Sequence, residues 1–272
     1  MTTILPTTGT LDVPGATIYH ETRGTGPLVV LVGSPMDARP FAPLADLLAT
    51  DHTVVTLDPR GIAHSSMDDP EAGSPIETRA DDLARLIEYR GGSAAVLGSS
   101  GGAVVALALA QLRPELAHTV IAHEPPLSEL LDDREALRTR TEEMIALHRS
   151  GDTVGAMRQF MAHAGLVVPE EMFQAMSAAD RDPQAIADEA HFFRHEMRPT
   201  TSWRPDTAAL RTAATRIVIG IGDTSAGTLC DRTSRALAAA LGIEPVTFPG
   251  GHGGFAENPP AFAARVREVL AD

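Results

Sequence analysis

The stretch that decides the fold runs from Ala94 to Leu112: Ala94-Ala95-Val96-Leu97, then Gly98-Ser99-Ser100-Gly101-Gly102, then the apolar run Ala103–Leu112. A short apolar strand, a tight glycine-rich turn and an apolar helix follow one another without spacer, and the turn reads G-x-S-x-G. Such a turn holds its central residue in a strained backbone conformation, and its neighbours must be small for strand and helix to approach. Ser100 is the central residue, because in the frame shifted by one Leu97 falls where glycine is needed. The competing reading is a glycine-rich helix start that binds phosphate or merely turns the chain.

Working outward, short apolar runs alternate with segments of helical period, the pattern of a mostly parallel, doubly wound sheet covered by helices on both faces. Strands are predicted at Thr17–His20, Leu28–Val32, Val54–Leu57, Ala94–Leu97, Thr119–Ala122, Arg216–Gly220 and Pro245–Phe248. Helices are predicted at about 37–49, 76–90, 101–112, 231–241 and 259–270. From Leu127 to Arg204 no strand is legible, only helical patterning with scattered Met and Phe. The prolines Pro125, Pro126, Pro199 and Pro205 mark its edges. The chain is therefore divided into an α/β core, 1–126 and 205–272, and an inserted helical lid, 127–204.

Composition removes several classes of function. All 22 basic residues are arginine, so Schiff-base chemistry on a lysine and a P-loop are both closed. A net charge of −14 and a 4% aromatic content argue against nucleic acid and an anionic membrane as partners. The single Cys230 implies no internal disulfide. Met1 to Gly15 does not read as a secretory signal and no apolar run has membrane-spanning length, so a soluble cytoplasmic protein is expected. A homodimer is compatible with the sequence.

A serine hydroxyl needs an adjacent base, oriented in turn by a carboxylate. Asp223 follows the strand Arg216–Gly220, and His252 follows the last strand in a glycine-rich loop, Gly250-Gly251-His252-Gly253-Gly254. Glu124, also just past a strand, is the rival carboxylate; Asp223 is preferred for its placement relative to His252. His191 and His195, four apart on a predicted helix, lack a third ligand in the pattern, so no metal is assigned. His64 and His123 lie near strand ends and are candidates to line the pocket.

These features together resemble the α/β-hydrolase superfamily, in the group of cofactor-free haloperoxidases, small esterases and epoxide hydrolases. Asp58-Pro59-Arg60-Gly61-Ile62-Ala63-His64-Ser65 is similar to that family's D-x-R-G-x-G-x-S segment, with Ala63 in place of a glycine. Glu124-Pro125-Pro126 looks like the family's exit into the lid. The resemblance implies an oxyanion hole from the backbone N–H groups of Gly101 and Ser34, with Met36 the alternative to Ser34, since Pro35 has no N–H. It implies no cofactor. The serine at the elbow favours acyl transfer over the alkyl-enzyme chemistry of relatives with an aspartate there. The expected activity is hydrolysis of a small or medium-sized, mainly apolar carboxylic ester or lactone, with Met36, Met157, Phe160, Met161, Phe192 and Trp203 as substrate-binding candidates. Perhydrolysis, carbon–carbon hydrolysis and methyl-ester removal use the same triad, and a non-catalytic ligand-binding protein is the alternative outside catalysis.

Overall fold

The computed structural model describes residues 5–178 and 180–271. Its centre is a nine-stranded sheet built from β1 (Thr7–Val13), β2 (Ala16–Arg23), β3 (Leu28–Val32), β4 (Thr53–Leu57), β5 (Ser66–Met67), β6 (Ala94–Ser99), β7 (Ala117–His123), β8 (Arg216–Gly222) and β9 (Val246–Phe248). The strands run in the order β1-β2-β4-β3-β6-β7-β8-β9, with β5 pairing β2. From β4 to β9 every pairing is parallel, while β1, β2 and β5 join antiparallel at one edge. All seven expected strands are present. β1 and β5 were not expected: β1 is largely exposed, rich in Thr, and is set by its two-residue turn to β2, where Gly15 takes φ 76°.

Side chains of the central strands alternate between two cores, as the period of a strand requires. Val30, Val32, Val55, Val96 and Val120 face one side; Val29, Leu31, Val54, Leu97 and Ile121 face the other. The first side is covered by α2 (Ile76–Tyr89), α3 (Gly101–Leu112) and α10 (Leu229–Leu241). The second is covered by α1 (Ala42–Leu48), α11 (Gly254–Glu257) and α12 (Pro259–Ala271). Burial on both faces explains why β3 and β8 carry no alternation of polar residues. α3 is buried at every position from Gly101 to Ala110, which accounts for its uninterrupted apolar run.

Between β7 and β8 lie α4 (Arg134–Arg149), α5 (Thr153–His163), α6 (Glu170–Met176), α7 (Pro183–His191), α8 (Met197–Ser202) and α9 (Thr207–Thr212). A π-helical turn, Phe192–Glu196, joins α7 to α8. Met144, Ile145, Ala156, Met157, Phe173, Phe192, Phe193 and Met197 form a separate small core for these helices. Among the described residues no helix is long and apolar enough to cross a membrane.

The segment after β4 is a brace. Asp58 accepts hydrogen bonds from Ala38 N at 2.9 Å and from His64 N and Nδ1, tying the loop after β3 to its own. Arg60 forks onto Asp82 of α2 at 2.6 and 2.7 Å, both buried. His64 packs against Tyr19 with the rings tilted by 36° and their centres 4.7 Å apart, and so belongs to this brace. Ala63 has φ 50° and its N–H is bonded to Asp188 of α7 at 3.0 Å. An L-residue is strained there, where the resembling segment has glycine. Ala63→Gly is therefore expected to stabilise the fold by about 1 kcal/mol, the strain relief slightly exceeding the entropy added to the unfolded chain. Chemical denaturation of the two proteins checks this, and a lowered midpoint would contradict it.

Candidate active site

The parallel strands end on one edge of the sheet, and the candidate site is assembled there from the loops that leave them. Ser100 leaves β6 with φ 56° and ψ −124°, and its N–H is held by His123 O of β7 at 3.0 Å. Two glycines let the turn seat against the end of β3. A Cβ on Gly102 would come 2.1 Å from Val32 O, and one on Gly101 would come 2.7 Å from Ser34 O. The elbow and the loop carrying Ser34 are thus in direct contact, as the expected oxyanion pair requires.

His252 leaves β9 and presents its ring to the carboxylate of Glu124, with Nδ1 2.7 Å from Oε2. Burial alone would raise the pKa of Glu124, but the hydrogen bond from His252 and nearby positive charge hold it down to about 2. The carboxylate is then the acceptor and Nδ1 the donor, which leaves Nε2 free of that bond. The other oxygen, Oε1, accepts from Gly222 N of β8 at 2.9 Å, and Glu124 N donates to Gly220 O at 3.0 Å. Glu124 is fully buried and has φ 53°, a second strained non-glycine residue beside Ser100.

This geometry corrects the expectation for Asp223. Its Oδ1 accepts from Gly250 N at 3.0 Å and its N–H donates to Phe248 O at 2.9 Å, while its side chain is exposed. Asp223 braces the loop that carries His252 and does not meet the imidazole. Both carboxylates follow a strand, so spacing along the chain does not separate them; Glu124 reaches His252 across β8, locked by the Gly222 N–H.

Ser34, Ser100, Gly101 and His252 line one narrow cavity. Its walls are mostly apolar, with Pro126, Phe160, Phe192, Met197 and Leu229, and carry Thr200, Thr201, His163 and Cys230 as polar or polarizable groups. Of the expected pocket residues, Phe160 and Phe192 line it. Met36 and Met157 line an adjoining cavity that Phe192 also borders. Met161 packs in the small core of the helices, and Trp203 is buried against the sheet with Nε1 on Glu77 Oε1 at 3.1 Å. His123 lies elsewhere, edge-on to Phe248 and Phe262, its pKa pushed down to about 4 by burial. His191 and His195 sit 5.1 Å apart between ring centres, and both border a separate cavity with Gly61 and Met67.

Cys230, in the first turn of α10, is 1% exposed and lies beside the triad-like group: one ligand atom each of Glu124, Cys230 and His252 fall within 4.8 Å of one another. Burial works to lower the basicity of His252, but Cys230 and Glu124 outweigh it and push the pKa up to about 10.

A buried ionic cluster supports the Ser34 loop from behind. Ser34 Oγ donates to Glu196 Oε2 at 2.6 Å; Arg79 Nη1 reaches Ser34 Oγ at 2.8 Å and Glu196 Oε2 at 3.3 Å; Arg79 Nη2 reaches Thr200 Oγ1 at 2.9 Å. One guanidinium of α2 thereby joins the loop after β3, the π-helical turn and α8. Burial lowers the pKa of Arg79 and Glu196 opposes that. Neither residue stood out in the sequence; the only trace is a charged pair at positions that the apolar pattern would bury. Glu196→Gln leaves a buried cation without its counter-charge and is expected to cost about 3–5 kcal/mol of stability. Glu170→Gln, which breaks an exposed pair with Arg158, is expected to cost about 0–1 kcal/mol. Equal unfolding free energies for the two variants in denaturant titrations would refute the difference.

Residues 28–265 match the model of the alpha/beta hydrolase family. The chain is 33% identical over 278 residues to an uncharacterized hydrolase, YraK, of Bacillus subtilis, covering 96% of this chain and 95% of that one. Among solved structures, an alpha/beta hydrolase from Sphaerobacter thermophilus is 26% identical with a TM-score of 0.67, covering 95% of this chain and 100% of the other. A thermophilic esterase from Thermogutta terrifontis shares the fold at 23% identity and a TM-score of 0.71, covering 98% of each. With a strained serine elbow, a histidine on a buried carboxylate and a mostly parallel sheet behind them, the chain belongs to the alpha/beta hydrolase family.

Proposed function

We propose that the protein is a serine hydrolase acting on small or medium-sized, mainly apolar carboxylic esters or lactones, with Ser100, His252 and Glu124 as its triad. The observation that carries this reading is the 2.7 Å bond from His252 Nδ1 to Glu124 at a mostly apolar cavity that also holds the strained Ser100. Ser100 Oγ attacks the carbonyl carbon while its proton passes to His252 Nε2. Glu124 fixes the tautomer and supports the imidazolium. The N–H groups of Gly101 and Ser34 receive the oxyanion, and the Arg79–Glu196 cluster holds the Ser34 loop in register. His252 then protonates the leaving oxygen, and water activated by the same imidazole releases the acid.

The walls formed by Phe160, Phe192, Met197 and Leu229 favour an apolar acyl or alcohol portion, and the helices of residues 127–204 act as the lid over it. Against these apolar side chains a charged group on the substrate would lose hydration without recompense.

Two experiments test the roles. In a screen of p-nitrophenyl acyl esters, Ser100→Ala is expected to abolish turnover. Glu124→Gln is expected to lower kcat on the order of 10^3–10^4-fold, and Asp223→Asn by less than about tenfold, the effect of one loop hydrogen bond. A larger loss in Asp223→Asn than in Glu124→Gln would reverse the assignment of the acid. The second is a pH profile. The active form has His252 unprotonated, so kcat/KM rises with pH up to the histidine pKa. The acid limb is expected well above the ordinary value of about 6.5, towards about 10. Cys230→Ala removes the first contributor that raises it and is expected to move that limb to lower pH. A limb that stays put in this variant would exclude the influence of Cys230.

A further inference from the structure

Cys230 is not needed for acyl transfer, yet its sulfur sits in the same buried cluster as the two groups that are. Single ligand atoms of Glu124, Cys230 and His252 lie within 4.8 Å of one another, and the three residues are 0%, 1% and about one-tenth exposed. A tetrahedral zinc-type ion, with bonds of about 2.0–2.3 Å, holds its ligand atoms roughly 3.3–3.8 Å apart. Sharing one cation therefore requires the widest separation, at most 4.8 Å, to close by about 1 Å and the 2.7 Å Nδ1–Oε2 pair to open by roughly 0.6 Å. Thiolate, imidazole and carboxylate are also the ligand types that soft and borderline divalent ions select. Their charges, −1, 0 and −1, neutralise a dication in a place where an uncompensated charge is unfavourable. The cavity that reaches Ser100 is bordered by both Cys230 and His252, so the cluster has an entry path.

We propose that Glu124, Cys230 and His252 form an inhibitory site for a soft or borderline divalent cation of the zinc and cadmium class. Binding takes place through Cys230 Sγ, Glu124 carboxylate oxygen and His252 Nδ1. The Cys230 thiol proton is released to solvent as the metal–sulfur bond forms. His252 binds through Nδ1 and keeps its remaining proton on Nε2, so the imidazole is neutral in the complex and protons are released to solvent as the cation binds. With Nε2 protonated, His252 no longer accepts the proton of Ser100, and hydrolysis stops. The binding half of the proposal rests on geometry alone; the inhibition half rests on the serine-hydrolase reading.

The test is titration of metal-free wild type and Ser100→Ala with Cd2+, followed by the ultraviolet charge-transfer absorption of the cadmium–thiolate bond. Both proteins are expected to bind one equivalent with the same midpoint and to release protons as they do so, with Zn2+ competing. Cys230→Ser is expected to lose the band. Glu124→Gln and His252→Ala are expected to weaken binding on the order of tenfold or more, since even outer partners of a metal have effects of that size. In wild type, ester turnover is expected to fall along the same titration and to return with a chelator. A missing band in correctly folded Ser100→Ala, or a band whose midpoint is indifferent to both Glu124→Gln and His252→Ala, overturns the site. Cadmium binding with the expected dependences in a wild type that turns over no ester supports the cation site and removes the hydrolase reading instead.

Discussion

Ser100 is held at φ 56°, and the groups at the carboxyl edge of the sheet are arranged around that strained residue. A non-glycine residue in this region is unfavourable by about 1–3 kcal/mol and persists only where its surroundings over-determine it. Here they do. The strand before it is hydrogen-bonded on both sides by β3 and β7, the helix after it is buried along its length, and the N–H of Ser100 is taken by His123 O. The glycines beside it let the turn touch Val32 and Ser34. What raises the serine above the sheet edge is therefore the packing of an α/β core.

The same edge concentrates buried charge, and each charge is paired with groups from distant parts of the chain. Glu124 is bonded by Gly222 and His252; Glu196 by Ser34 and Arg79; Asp82 by Arg60. Breaking one member of such a set is more damaging than the set is stabilising, because the remaining partner is left charged and dry. The consequence is positional: a loop tied through buried charge cannot drift without exposing that imbalance. Ser34 and His252 are both tied in this way, and they are the two groups that must stay within reach of Ser100.

The sheet was legible because its central strands are buried on both faces, so that Leu28–Val32, Ala94–Leu97 and Arg216–Gly220 read as apolar runs. β1 was not, since its Thr and Gly residues are mostly exposed and its pairing is set by a turn. Ser100 and His252 were legible as residue types in glycine-rich loops after strands. The carboxylate was not decided by that logic, because Asp223 and Glu124 occupy equivalent places in the pattern. Only the crossing of Glu124 over the end of β8, fixed by the Gly222 N–H, distinguishes them. Arg79, Glu196 and Cys230 were illegible for a related reason: each acquires its meaning from partners more than twenty residues away, at contacts no local period encodes.

The absence of lysine gains a physical content at two positions. Arg79 bonds Ser34 and Glu196 through one nitrogen and Thr200 through another, so its planar fork joins three separate elements. Arg60 grips Asp82 with two parallel N–H groups. A lysine ammonium, a compact and strongly hydrated point charge, lacks the planar fork that spans these partners and would be more readily neutralised by burial. At these sites arginine is required by geometry. On the surface, where Arg158 meets Glu170 and Arg198 meets Glu142, the exposed pair is worth little whichever cation supplies it. The arginine-only composition thus divides into a small buried part fixed by the architecture of the site and a larger exposed part that the fold leaves free.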